Sequence, residues 1–427
     1  MTNDSNNTTS RREFLETAAA AAGLMFINPT LVRGTAANSA VRLGVIGCGG
    51  RGRADAAGFI ENTNTRIAAL ADLFADQLTT AQRSFDAIQQ KKGYPAIAAS
   101  QLFKGPEAYQ QIAASKEVDA ILVSSPPYYH PLHLETVVAA GKHVYCEKPV
   151  AVDVPGAHRV MRIGENAKGK LSLAVGFQIR KAPPMVELTK RIHAGALGKL
   201  GCGLAYYYCA ALTRPEWPKA SPEEKRLRNW VWDRHLSGDI IVEQNIHVID
   251  MCNWMLQGHP VKAVGIGSRK HRTDSGNCWD NFNVLFTYPG DVQVSFGSSQ
   301  FDDPQFDAAV RLFGTNGSSE SHYDHRVFIS GKERWDAGLG PASGSGQFSA
   351  AGSFQGALDK ADSEKQKSFV ESITSGQFIN EAAQGAESAL SAMLGRNAAY
   401  SGKPLTWDQL LKSKETFEPK IDISKFA

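Results

Sequence analysis

Three stretches of this chain carry residues whose types and spacing suit chemistry. In the first, Lys148 stands between Glu147 and Pro149, directly after the apolar run 143–146. An ammonium group at the carboxyl end of a strand can hydrogen-bond a hydroxyl and stabilise developing alkoxide charge. A solvated surface lysine is the plainer reading of the same residue. In the second, Glu243, Asn245, His247 and Asp250 fall within one segment, 237–250. On a continuous helix Glu243 and His247 are i and i+4 and share a face. A carboxylate beside an imidazole is a general-base pair, able to take a hydroxyl proton as hydride leaves the carbon. Asp250 can orient the ring instead, and a buried structural Glu–His pair fits the spacing equally. Arg180, Arg228, Trp230 and Trp232, with Asn245 and Asp250, are the candidates for holding a substrate. Arginine forks and indole faces suit sugar hydroxyls and rings, although core packing accounts for the tryptophans as well. His271, His322 and His325 give no specific signal.

The third stretch is Gly47-Cys48-Gly49-Gly50-Arg51-Gly52, which follows the β-branched run 41–46. In such a G-x-G-x-x-G turn, Gly47 takes the chain off the strand and Gly49 lets backbone N–H groups approach a pyrophosphate. Gly52 lets the following helix pack closely, its N-terminus facing the phosphates together with the Gly50 and Arg51 amides. A second apolar run, 66–71, ends at Asp72, placed to accept hydrogen bonds from a ribose 2′-hydroxyl. That acid favours NAD over NADP, whose 2′-phosphate it would repel. An ordinary strand–turn–helix with Asp72 as a helix cap is the alternative.

These residues need elements to position them. Helix patterns at 74–90, 107–115, 131–140 and 153–167 alternate with strand patterns at 118–124 and 143–146. Such alternation predicts a doubly wound parallel sheet with ligands at the strands' carboxyl ends. From residue 171 the texture changes to longer alternating runs at 200–209, 261–267, 282–288, 292–298, 309–314 and 327–330. Tight turns between several of them predict an α+β domain with a large open, mainly antiparallel sheet. A helical insertion is expected at 239–256, a Gly/Ser-rich loop at 337–356, and terminal helices at 360–373 and 384–400. The domain reading is 1–40 signal and linker, 41–169 dinucleotide domain, 170–400 second domain and 401–427 a tail packing back on the body. The open face of the second sheet implies a homo-oligomer, a dimer or tetramer.

The chain has 427 residues, 46 basic and 43 acidic, with no basic run that points to nucleic acid. Its 6 cysteines form no C-x-x-C pair or Cys/His zinc pattern, so no metal is expected. Ser10-Arg11-Arg12-Glu13-Phe14-Leu15 followed by the apolar 17–27 resembles a twin-arginine export signal. That apolar stretch is too short for a membrane span. Export is therefore expected, with the mature protein outside the cytoplasmic membrane and free of spans.

From about residue 41 to 400 the chain resembles the Gfo/Idh/MocA oxidoreductases. The likeness rests on Gly47–Gly52, Glu147-Lys148-Pro149, Gly176-Phe177 and the 247–250 segment. It implies a Rossmann domain, an NAD(P) cofactor and a sugar-like or polyol substrate. It also implies cofactor contacts from Glu147, Lys148, Ser125, Pro126 and His130. The family's cofactor turn usually reads Thr-Pro-Asn-x-x-His; here Pro127 replaces the asparagine. The family's catalytic set of lysine, aspartate and histidine, spaced Asp-x-x-x-His, maps onto Lys148 and His247, with Glu243 in place of the aspartate. A cofactor carried out with a folded, exported enzyme should be held tightly and recycled in the site. Coupled oxidation and reduction of two sugars, or a redox-neutral glycosidase or lyase reaction through a transient keto-sugar, would close that cycle. A non-catalytic sugar-binding relative is the competing class.

Overall fold

The computed structural model describes residues 39–272, 276–301, 306–340 and 356–427. The expected export signal and most of the expected loop at 337–356 lie outside the described residues.

The first sheet has six parallel strands: β1 (Val41–Ile46), β2 (Thr65–Asp72), β3 (Leu102–Lys104), β4 (Ala120–Val123), β5 (His143–Cys146) and β6 (Leu173–Val175). Their spatial order is β3-β2-β1-β4-β5-β6, so the winding reverses between β1 and β4, where a doubly wound sheet opens its ligand crevice. The crossovers run through α1 (Gly50–Asn62), α2 (Ala75–Lys91), α3 (Ala108–Ala114), α4 (His130–Ala139) and α5 (Val154–Ala167). Ala120-Ile121-Leu122-Val123 is buried at every position, as expected of a strand covered on both faces. Asp153 caps α5, accepting from the Gly156 amide at 2.8 Å.

The chain then passes through α6 (Pro183–His193), β7 (Leu200–Ala210), α7 (Pro222–Arg228), α8 (Arg234–Ser237), α9 (Ile240–Glu243) and α10 (Ile246–Met255). It continues through β8 (Lys262–Ser268), β9 (Asn281–Tyr288), β10 (Val292–Phe301), β11 (Asp307–Gly314), β12 (Gly317–His322), β13 (Val327–Gly331) and β14 (Trp335–Asp336). It ends with α11 (Ala361–Thr374), α12 (Ala382–Ser401), β15 (Leu405–Thr406) and α13 (Trp407–Leu411). Strands β7 to β15 form one nine-stranded sheet, antiparallel except where β10 runs parallel to β7. α10 and α12 cover one face. The other leaves Leu204, Tyr208, Val264, Ile266, Leu285 and Phe313 exposed.

Three expectations need correction. The second domain was expected to begin at residue 170, but β6 pairs with β5 and completes the first sheet. Its three residues are wholly apolar and buried, and its free edge is closed by 379–381: Leu173 N donates to Ile379 O at 2.8 Å and Glu381 N to Leu173 O at 2.9 Å. The helix expected at 239–256 is broken at Gln244-Asn245 into α9 and α10. The β-branched run Ile240-Ile241-Val242 is a poor helix former, and the Gln244 side chain is drawn away to accept from Gln300 Nε2 at 2.7 Å. β12, Gly-Ser-Ser-Glu-Ser-His, was missed because its polar residues give no alternation of hydrophobicity.

The segment 417–427 packs back across the first domain. Phe417 N donates to Asp153 Oδ2 at 2.8 Å, the Phe426 ring lies edge-on to Phe74, and Lys104 Nζ reaches the Ala427 carbonyl at 3.2 Å.

At the edge of β5, His143 Nδ1 accepts the Ser172 amide at 3.0 Å, so its neutral form is required. Burial pushes its pKa down from 6.5 to about 4. The unfolded chain then binds more protons between these values, so stability is lost as pH falls through that window. By pH 4 the contribution is about 3 kcal/mol. Urea denaturation at pH 7 and pH 4 should show a loss smaller by about that amount in His143→Gln; an unchanged loss would refute the assignment.

Candidate active site

The glycine turn is shaped by close approaches. Gly47 has φ +91°, and a side chain there would meet the Ser124 carbonyl at 2.5 Å. A Cβ at Gly52 would lie 2.0 Å from the Gly47 carbonyl, so helix and strand approach closely only because both residues lack one. Gly49 and Gly50 face open space, and α1 starts with no side-chain cap on its N–H groups. That leaves the donors a pyrophosphate requires. Asp72 closes the end of β2, accepting from Cys48 N at 2.7 Å and Phe74 N at 2.9 Å. Gly47, Gly49 and Asp72 line a cleft together with Ser125, Pro126, Tyr129 and His133. The donor set, the acid and the shape fit a dinucleotide.

The roof of this cleft comes from elsewhere in the chain. Trp217, Leu227, Arg228, Trp230 and Ile423 line its far side. The Arg228 guanidinium lies 3.9 Å from the Phe74 ring centre and 4.6 Å from that of Trp217. It makes a bidentate bridge to Asp76, both contacts 2.9 Å, and donates to Glu224 at 2.7 Å. Arg228 and Trp230, expected to touch substrate, line the same cleft as Asp72, where they would cover a bound dinucleotide. Trp232 is buried in the core.

A buried charge cluster underlies the lysine. One nitrogen of Arg51 bridges Asp55 at 2.9 Å, Glu147 at 3.1 Å and Asp362 of α11 at 3.0 Å. Burial, with Glu147 and Asp362 nearby, raises the Asp55 pKa well above the usual carboxylate value despite Arg51. Burial works against Glu147 too, but Arg51 and Lys148 outweigh it and hold that pKa below the usual value. Burial thus favours the protonated form of Asp55, while the neighbouring cations favour the charged form of Glu147. The Arg51 side chain, expected at the cofactor, is committed to this cluster. Gly176 is required beside it, since a Cβ there would stand 2.4 Å from Glu147 Oε1. Glu147, expected as a cofactor contact, acts as a strut: its Oε2 accepts the Lys148 amide at 3.2 Å. His130 is another strut. Its ring nitrogens lie 2.7 Å from the Pro149 and Ser125 carbonyls, joining the turns after β5 and β4, so neither nitrogen is available to a ligand.

Lys148 Nζ donates to the Glu243 carbonyl at 2.6 Å and its carboxylate at 3.2 Å. Glu243 is therefore tied to the lysine, and the helix break removes the i, i+4 geometry that would have set it against His247. Asp250 does not orient His247 either, nor is it open to substrate. It is buried and held by Arg180 through two 2.9 Å bonds and by Ser388 at 2.6 Å. That bridge also commits Arg180. What holds the imidazole is aromatic packing: Phe177 and Tyr323 stand edge-on at 6.3 and 6.5 Å. His247 is buried and its Nδ1 has no hydrogen-bond partner among the described residues. Burial, then the charges of Lys148 and Arg51, push its pKa well below 6.5. A neutral imidazole beside an ammonium group can accept a proton from whatever the lysine holds. Gln178 Oε1 and Asn245 Oδ1 are likewise buried without partners. Tyr323 was missed because it belongs to no spacing pattern; only the fold brings it to His247.

A doubly wound sheet with a glycine turn, an acid at the end of β2 and a lysine–imidazole pair defines a nucleotide-dependent oxidoreductase. Residues 41–177 match the oxidoreductase family with NAD-binding Rossmann fold, and residues 185–320 match the GFO/IDH/MocA C-terminal domain. The chain belongs to the Gfo/Idh/MocA family. It is 24% identical over 292 residues to the inositol 2-dehydrogenase of Rhizobium meliloti, covering 68% of this chain and 78% of that one. Its fold is shared by a putative myo-inositol dehydrogenase from Sinorhizobium meliloti (TM-score 0.61, 20% identity, 86% and 99% covered). The aldose-aldose oxidoreductase from Caulobacter crescentus also shares it (TM-score 0.65, 19% identity, 86% and 99% covered).

Proposed function

We propose that the protein oxidises a hydroxyl-bearing carbon of a sugar, glycoside or cyclic polyol, with NAD held in the roofed cleft and recycled in place. The observation that carries the reading is His247: a buried, neutral imidazole with an unpartnered Nδ1 and a lysine ammonium close by. NAD, when bound, supplies the hydride acceptor. Lys148 holds the reacting hydroxyl and stabilises its alkoxide, and His247 takes the proton. Gln178 and Asn245 offer acceptors to further hydroxyls, as a polyol requires. Glu243 positions Lys148. The Asp72 carboxylate favours NAD over NADP.

Tight retention is supported by the Arg228 roof, and export by Arg11-Arg12 and the apolar run after them. Native mass spectrometry of protein purified without added cofactor tests retention. Product analysis over a panel of sugars and cyclic polyols, with and without a second sugar, tests the chemistry. An apo protein that consumes one external NAD per turnover would refute recycling, and no reduction across the panel would refute the oxidation.

The exposed apolar face of the second sheet supports a homo-oligomer. Ile266 on β8, 68% exposed and the most exposed of these side chains, is the residue to change. Ile266→Glu should shift the light-scattering mass to that of a monomer; a wild-type monomer, or an unshifted mass in the variant, would refute that interface.

A further inference from the structure

We propose that His322, Asp324 and His325, with Asp307, form a site for a divalent transition ion of the zinc class at the open face of the second sheet. None of these residues belongs to the catalytic constellation, and the fold brings them together from β11, β12 and the turn after it. His322 and Tyr206 both pair with Ala309 across neighbouring strands, so all three share the open face. One donor atom from each of His322, Asp324 and His325 lies within 4.8 Å of the others. The His322 and His325 rings stack with centroids 3.9 Å apart.

The hydrogen bonds fix the chemistry of His322. Its Nε2 is bonded to Glu320, which also accepts from Arg311 at 2.7 Å. With that nitrogen donating, Nδ1 carries a lone pair. Nδ1 lies 3.3 Å from Asp307 Oδ1, within ion-pair reach but not aligned for a regular hydrogen bond, and neither atom has another hydrogen-bond partner among the described residues. A positive charge is needed between these two atoms, and either a proton on the ring or a metal ion supplies it. The separation is also that of neighbouring ligands around a tetrahedral ion with bonds of ~2.1 Å, which is ~3.4 Å. A ligating imidazole whose other nitrogen donates to a carboxylate is the usual arrangement around zinc. His325 is bonded to Asp324 through Nδ1, leaving Nε2 as its free donor. Charge points the same way. Asp307, Glu320 and Asp324 face Arg311 and two imidazoles; with both imidazoles neutral, the excess of two negative charges matches a divalent cation. Two imidazoles with carboxylates suit zinc better than calcium or magnesium.

The site has a structural consequence. Tyr323, between the ligands His322 and Asp324, crosses to the inner face and packs against His247. An ion on the open face therefore fixes the turn that supports the catalytic imidazole.

The test uses the full chain, purified without a polyhistidine tag, stripped with a chelator and dialysed against Zn²⁺ alone. One zinc ion per chain is expected, and Zn²⁺ at a hundredfold excess over its Kd should raise Tm by about 3 °C. His325→Ala and Asp324→Asn, both at partly exposed turn positions, should each weaken uptake at least ~tenfold. His259→Ala, stacked on Trp407 elsewhere, should leave uptake unchanged. X-ray absorption of the loaded protein should show two imidazoles on the metal. Substoichiometric uptake, or uptake unaffected by both turn substitutions, overturns the proposal. So does a Tm indifferent to Zn²⁺, which would mark a proton as the charge between His322 and Asp307.

Discussion

Replacing His247 by alanine should lower kcat by about 10²–10⁴ and leave NAD affinity within about twofold. His247 is not among the residues that line the dinucleotide cleft, so its loss removes a proton acceptor and spares the residues at the glycine turn and Asp72. Lys148→Ala should cost about 10²–10³ in kcat, because the ammonium acts on charge that develops only as the hydroxyl ionises. Both effects should fall more on kcat than on substrate KM, the mark of an interaction made chiefly in the transition state. The acid limb of the rate profile has a definite sign. With its pKa pushed below 6.5, His247 stays neutral at neutral pH, and activity should be lost only on acidification below that value. Near-normal turnover by both variants, measured as product formed from the true substrate, would sink the assignment.

Opening the roof should release the dinucleotide. Arg228 joins three supports at once: the Asp76 carboxylate at the start of α2, and the Phe74 and Trp217 rings. Arg228→Ala should speed NAD dissociation about tenfold, equivalent to about 1.4 kcal/mol for a cation–π and ion-pair anchor. Removing residues 421–427 as well takes away Ile423 and the Phe426–Phe74 contact, and dissociation should then be about a hundredfold faster. Stopped-flow displacement with a fluorescent NAD analogue reads the rate directly. Native mass spectrometry should show the dinucleotide lost from the doubly altered protein. Retention equal to that of the parent would refute a role for the roof, while leaving Lys148 and His247 untouched.

The pattern of residues predicted the doubly wound sheet because each local signal agreed with the others: glycine turn, apolar parallel strands, Asp72 at its strand end. Asp153 and Gly141 also sit at the helix ends where their types belong. What escaped was set by distant partners. Arg51 reads as part of a phosphate turn until Asp362, 311 residues away, claims its side chain. Asp250 and Arg180 each read as substrate ligands because each alone is an unspent charge; only the fold shows that they neutralise one another. Glu243 and His247 were joined by an assumption of helical continuity that Ile240-Ile241-Val242 and the pull on Gln244 defeat. Arg228 reads as a sugar ligand until the fold places it between Phe74 and Trp217, over the cleft that Asp72 lines. No local pattern shows that α7 crosses to β2.

The closure of β6 by residues 379–381 bears on how the protein is made. The core of the first domain also takes Phe369, Val370 and Ile373 from α11, with Phe369 edge-on to Phe59 and Tyr145. A ribosome adding about 10 residues per second needs roughly 20 s to travel from Val175 to Glu381. Throughout that interval the nascent Rossmann sheet has an unpaired edge and an uncovered aromatic surface. Such surfaces are what holdase chaperones recognise and what aggregation exploits. The two halves of this molecule are consecutive in space but not in time, and the half that begins first cannot finish until the other is nearly complete.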